Sequence, residues 1–321
     1  MYNCMNKYRN DFAINFAKIM QEKLQKWKTF QSEERKSLYS LDSLRWYFGL
    51  ALCGFIPGKK EYHYDLKLHC WIAVFFFIFS IITNIQITNK AYQKRVKCTF
   101  FNDLLKVFGD KIFFGGKYIQ NSLFNNSQLY PRDIMTREDD DSFFGEYNGV
   151  NFVINETDFG WNENDKHRTY HSMFKGIAMH FTMNKEINSR VLIMSKNLFN
   201  KVPKNYEKVV VEYEKFNKKY DVWVEKNPIN NSGQIEARYL LNTAFLDRFM
   251  QIQTSFRVNK MSCSVYKNDM LIMLSTKKDL FEMNHLLGKI DDIKQYNHLF
   301  EEFASVLSFI EVLNLASRTK L

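Results

Sequence analysis

Leu66–Ile87 reads LKLHCWIAVFFFIFSIITNIQI, and no charged residue falls between Trp71 and Ile82. The consecutive Phe75, Phe76, Phe77, Ile78 and Phe79 would make a helix here apolar on every side. A membrane-crossing helix takes roughly 20 mostly apolar residues to cover about 30 Å of hydrocarbon. The run reaches that length when His69, Asn84 and Gln86 sit at the interfaces; a buried core helix is the other reading. Lys67 flanks it on one side and Lys90, Lys94, Arg95 and Lys97 on the other. Basic residues beside a span tend to stay inside. The expectation is a transmembrane helix with the lipid bilayer as a partner, at the inner membrane of the cell, the bulk of the chain being cytoplasmic.

A second apolar segment precedes this one, Leu44–Ile56 (LRWYFGLALCGFI), ended by Pro57-Gly58. It is short for a span, and Arg45 interrupts its start. One span with an interfacial helix, or a two-helix hairpin, are both open. Further upstream, Phe12, Phe16, Ile19, Met20, Leu24 and Trp27 recur at helical spacing over residues 10–30, with lysines between them. Such an amphipathic helix can lie on a membrane or pack on the rest of the chain.

Composition narrows the class. The chain has 321 residues, 45% of them apolar, so most of it can fold; 12 Gly and 4 Pro argue against long linkers. The net charge of +10 suits an anionic surface. Lys215, Lys218, Lys219 and Tyr220 offer a fragment of a nucleic-acid stripe, but Glu207, Glu212, Glu214 and Glu225 surround it, and no nucleic-acid partner is expected. The five cysteines are scattered with no CxxC pair, which gives no local zinc site and fits a reducing compartment.

Downstream of the apolar run, residues 89–126 carry a helical stripe through Phe100, Phe101, Leu104, Leu105, Phe108, Ile112 and Phe113, broken at Gly115-Gly116. Arg137-Glu138-Asp139-Asp140-Asp141 is the densest acidic run. It reads as a solvated turn before a strand, or less plainly as oxygen ligands for a divalent ion. From Phe143 the period shortens to two. Strands are expected at 150–154, 173–182, 190–194, 208–213 and 220–225, and a hairpin at 260–274 turning on Lys267-Asn268-Asp269. A helix from Thr243 to Gln253 is capped by Asn242 or Thr243, and a long helix spans 290–315. Strands with interleaved helices, lacking strict βαβ alternation, predict an α+β fold with a mostly antiparallel sheet.

Four segments then carry a resemblance: Gln234–Phe249 (QIEARYLLNTAFLDRF), Phe174–Phe181 (FKGIAMHF), Phe216–Val224 (FNKKYDVWV) and Glu311–Arg318 (EVLNLASR). Together they resemble a bacterial, membrane-anchored family of uncharacterised proteins, domain of unknown function family 3137, over about residues 140–320. The resemblance implies two N-terminal apolar segments and a globular region after them. It implies no activity and no cofactor.

The expected fold is therefore α+β, with N-terminal amphipathic and transmembrane helices, then a mostly antiparallel sheet domain and a long C-terminal helix. The expected domains are 1–43, an anchor at 44–87, a juxtamembrane region at 88–139 and a cytoplasmic domain at 140–321. No phosphate loop, dinucleotide fingerprint or GxSxG elbow is present. His167 and His171, four apart, sit more naturally in a strand than on a metal-binding helix face, and His180 lies in an apolar strand. Glu236 and Arg238, between a Gly turn and a helix start, form the one candidate site, as a ligand clamp or a structural anchor. Arg238 is expected to fork onto a carboxylate and hold the connection. The function expected is non-enzymatic binding or scaffolding, by a protein partner or self-association, with no cofactor. The alternative is an enzyme with dispersed catalytic residues acting on lipid or envelope material.

Overall fold

A computed structural model describes residues 2–38, 66–163, 169–196, 204–226, 232–278, 281, 289 and 292–318. The chain divides into two compact units. One comprises residues 1–12, 104–281 and 296–321; the other comprises 13–103 and 282–295.

The smaller unit is built from two long helices, α1 (Tyr2–Leu38) and α2 (Leu66–Leu105). The amphipathic pattern of residues 10–30 does its work here: Phe16, Ile19, Met20 and Trp27 are buried. Phe30 stacks on Tyr92 with ring centroids 5.7 Å apart. Lys23 pairs with Asp103, and Arg95 with Glu34, so charge at the rim fixes the register of α1 on α2. The hairpin thus uses the second half of α2, where Tyr92 and Phe101 are fully buried.

Among the described residues no helix is long and apolar enough to cross a membrane. This corrects the transmembrane helices of the expected fold, and with them the lipid bilayer as a partner and the inner-membrane location of a cytoplasmic chain. The physical reason is length. The most apolar part of α2, Trp71–Ile82, spans about 18 Å at 1.5 Å per residue, against about 30 Å of hydrocarbon. Polar Thr83, Gln86, Thr88 and Asn89 follow on the same helix. The first apolar segment, Leu44–Ile56, lies outside the described residues.

The larger unit is an α+β domain around one seven-stranded antiparallel sheet. Its strands are β1 (Ile112–Phe114), β2 (Thr136–Tyr147), β3 (Val150–Asn162), β4 (Tyr170–Ser195), β5 (Tyr206–Val209), β6 (Tyr220–Glu225) and β7 (Lys260–Ser275). The order is β1-β2-β3-β4-β6-β5, with β7 also paired to β4. The helices are α3 (Asn121–Asn126), α4 (Glu214–Asn217), α5 (Ser232–Leu240), α6 (Thr243–Ser255) and α7 (Asn297–Arg318), the last entered through a 3-10 turn at Ile293–Tyr296.

The 26-residue β4 is the spine. It bonds β3 through residues 170–182 and β6 through 191–195, and β7 pairs with both halves. Two expected strands are thus one, and the expected 260–274 hairpin is the single strand β7. Gly176 lets the ribbon close, since a Cβ there would meet the Leu274 carbonyl oxygen at 2.0 Å. The Glu138–Asp141 run is inside β2 and not in a turn; the register shifts between Asp139 and Ser142, as an inserted bulge requires. The helical stripe expected through 126 stops at Leu105, and Ile112–Phe114 is β1.

Phenylalanine fills the space on both faces of the sheet. Phe143 packs on Phe303 at 4.7 Å, and Phe309 touches both Phe181 and Phe245, which seats α7 and α6 on one face. On the other, Phe159 packs on Phe124, Tyr130 and Phe174, beneath the 119–134 segment. Arg137 pins that segment: its guanidinium donates to the Ile119 carbonyl at 2.6 Å and to Asn121 Oδ1 at 2.7 Å, and pairs with Asp139.

Candidate functional site

The local event that shapes the site is a bulge. From Thr182 to Val191, β4 takes nine steps where β7, from Asp269 to Val265, takes four. The excess residues, within MNKEINSR (Met183–Arg190), leave the ladder and need other partners. Glu236 of α5 supplies them. Its carboxylate accepts from Asn188 N at 3.0 Å, Asn188 Nδ2 at 3.1 Å and Ser189 N at 3.1 Å. Gly233, one turn earlier, allows the approach, since a Cβ there would lie 3.0 Å from the Ser189 side chain. On the other side of the bulge Asn268 Nδ2 donates to the Met183 carbonyl at 3.1 Å, and Lys267 turns through a φ of 53°.

The two residues singled out from sequence therefore part company. Residues 232–240 form helix α5, so the expected loop connection does not exist. Glu236 faces the bulge, whereas Arg238 is exposed, and among the described residues it makes no hydrogen bond or ion pair. The structure does not bring them together into one ligand clamp.

Beside Glu236, the bulge, the α5–α6 junction and the end of α7 enclose a groove. Ile187, Leu240, Phe245 and Leu313 form its apolar floor. Lys185, Tyr239 and Asn242 form its rim. Asn242 is committed to capping α6, where its side chain accepts from Phe245 N. The Lys185 ammonium lies 3.2 Å from the centroid of the Tyr239 ring. The groove holds about 380 Å³ of empty space, the solvent at its mouth included. Most of that is open solvent: the enclosed part is about 20 Å³, room for little more than one water, so the groove is a shallow dent and not a ligand pocket. Among the described residues no acid and no histidine lines it.

The remaining titratable groups lie elsewhere. His180 is bonded to Asp269 at 2.7 Å, and His171 stacks on Trp161 at 4.4 Å with Glu163 beside it; His167 lies outside the described residues. Burial pushes the Cys263 thiol up. Glu302 on α7 is buried, which raises its carboxyl to about 8; Arg257 opposes the shift, and Glu301 and Glu156 add to it. Among the described residues no group of three or more His, Cys, Asp or Glu could hold a metal ion. The bulge and groove were missed in the sequence because Asn184–Ser189 is polar and read as a break between two strands.

Residues 172–315 match a family described as a protein of unknown function, DUF3137, and that stretch contains the bulge, α5 and the groove. No curated protein matches the chain. Among solved structures, the chain is similar to that of the mycobacterial trehalose monomycolate transport factor A, TtfA, at 9% identity, over 55% of this chain and 72% of that one. The TM-score is 0.32, too low to support any argument.

Proposed function

We propose that the protein is a binding or scaffolding module that self-associates through the exposed face of α2. One observation carries this reading. Trp71, Val74, Phe75, Ile78, Phe79 and Ile82 are each between 47% and 73% exposed. Their three- and four-residue spacing puts them on one side of the helix. Scattered exposed apolar residues need no explanation, but a contiguous patch of large ones marks an interaction surface.

A second copy of the chain supplies a matching surface, because an isologous pair buries the same stripe from both sides. Antiparallel pairing also separates the exposed Lys94 and Arg95 of the two copies, each about 25 Å from the stripe's centre along the helix. Covering a half-exposed side chain of this size contributes about 1 kcal/mol. Six of them on each side, set against the cost of association, make a weak, concentration-dependent dimer. The enzymatic alternative asks for converging acids or histidines in a cavity near Glu236 and Arg238, and the groove beside Glu236 supports it poorly.

Sedimentation equilibrium of the full chain tests the reading. The wild type should associate with rising concentration, and the Phe75→Ser/Phe79→Ser variant should stay monomeric. A monomeric wild type that instead pellets with phosphatidylcholine vesicles would overturn it, as would a monomer that does neither.

A further inference from the structure

The exposed stripe of α2 continues a seam that is filled further along the same helix. Trp71, Ile78, Ile85 and Tyr92 follow one another at intervals of two turns, so they share one side of α2. Trp71 is 73% exposed and Ile78 51%, Ile85 is half-buried, and Tyr92 is fully buried. Phe79, Gln86 and Gln93 follow the same spacing, the first two exposed and the last buried. The covering element is α1, whose Phe30 stacks on Tyr92. It runs antiparallel to α2, since its earlier Lys23 pairs with the later Asp103. Beyond Phe30, α1 extends to Leu38. That is about 12 Å at the helical rise, which brings Leu38 level with about residue 84 of α2. On this side of α2 the seam is filled after that level and open before it.

We propose that a second copy of the chain fills the open half of this seam with its own α2, end to end with α1 and pointing the same way. This rests on the self-association proposed above and adds its direction and register. The length of the seam chooses both. In a parallel pair the second α2 would run on past residue 84, into the place that α1 holds. In an antiparallel pair it reaches that level at its own first turn. Setting Trp71 beside Ile82 of the second copy sets Phe75 beside Ile78 and Val74 beside Phe79, so every member of the stripe meets another. Residue 66, where α2 begins, then comes level with residue 87 of the other copy. A helix that starts there fits the uncovered stretch to within about one turn. The two stripes close on each other as a short two-helix seam, and α1 of each copy is the stop that sets the register.

The test is disulfide linkage in the full chain with its native cysteines replaced by serine. Lys67→Cys and Gln86→Cys lie outside the stripe and leave its side chains in place. The register sets residue 67 of one copy beside residue 86 of the other and holds each about 28 Å from its own counterpart. An equal mixture of the two variants, one of them tagged, should form the mixed disulfide about tenfold faster than either variant links to itself, because the bond needs close Cα atoms. Faster linkage of Lys67→Cys to itself means a parallel pair and overturns the proposal. Equal, slow linkage in a chain that sediments as a dimer means another register; it overturns the proposal and leaves self-association standing. A monomeric wild type overturns both. The register is also read with the native cysteines kept. Trp71→Glu and Ile82→Lys should each lose self-association alone, and their mixture should regain it, since the new charges meet only in the antiparallel pair. A mixture that stays monomeric while the wild type associates counts as a second refutation.

Discussion

Helix α7 and the first half of α2 are both apolar, yet the fold treats them oppositely. Along α7, Phe303, Val306, Leu307, Phe309 and Ile310 are all buried, and even its serines turn inward: Ser305 Oγ donates to the Glu302 carbonyl and Ser308 Oγ to that of Ser305. Along Trp71–Ile82, by contrast, Trp71, Val74, Phe75, Ile78, Phe79 and Ile82 are largely exposed. The difference teaches that an apolar helix reveals its need to be covered, not what covers it. The sheet covers α7. Among the described residues, α1 covers the later turns of α2, where Phe30 stacks on Tyr92.

If that contrast is right, the largest effect of any single truncation belongs to α7. Phe303→Ala removes a ring packed on Phe108, Phe143 and Phe281 and should cost about 3–5 kcal/mol in urea unfolding. Next comes the pH limb of the same helix. With its carboxyl near 8 in the fold and 4.5 when unfolded, Glu302 keeps its proton in the native state after the unfolded chain has lost it. Stability should therefore fall as pH rises from about 4.5 to about 8, by on the order of 5 kcal/mol. Glu302→Gln should remove that falling limb, and an unchanged pH profile in the variant would count against a buried α7.

Arg137 and Arg238 sharpen the contrast on a smaller scale. Arg137 is a nearly buried fork with an acid and a carbonyl in its grip, so Arg137→Ala should cost roughly 2–3 kcal/mol, much of it from the groups left behind. Glu236→Ala strands the Asn188 and Ser189 amides and should cost about 1–3 kcal/mol. The smallest effects belong to exposed positions. Arg238→Ala and Phe75→Ser should each change the stability of the monomer by less than about 0.5 kcal/mol. A large loss at Phe75 would mean that the stripe packs within its own chain.

Much of the domain was legible because local signals and tertiary contacts agree. YDVWVE alternates buried and half-buried residues as β6, and Asn242 caps α6 as its position suggested. Where the two disagree, the sequence misled. An acidic run is out of place in a strand by propensity, yet β2 holds it because Arg137 and Asn155 satisfy Asp139. The polar stretch Asn184–Ser189 resembles a loop, yet it is a bulge because a carboxylate 47 residues away supplies its bonds. Arginine's fork was assigned to the wrong residue for a related reason. Composition gives Arg137 and Arg238 the same donors, and only burial separates them. Span length misled in the same way at Leu66–Ile87, where tolerating polar residues at both ends stretched a shorter apolar core.

Self-association through the α2 stripe is tested most directly by a single cysteine at its centre. In a chain whose native cysteines are replaced by serine, Ile78→Cys should form a covalent dimer rapidly under mild oxidation, because antiparallel pairing brings that position close to its own copy. Lys94→Cys, equally exposed but far from the pairing axis, should remain monomeric. If Ile78→Cys links no faster than Lys94→Cys, the exposed face of α2 is not where two copies meet.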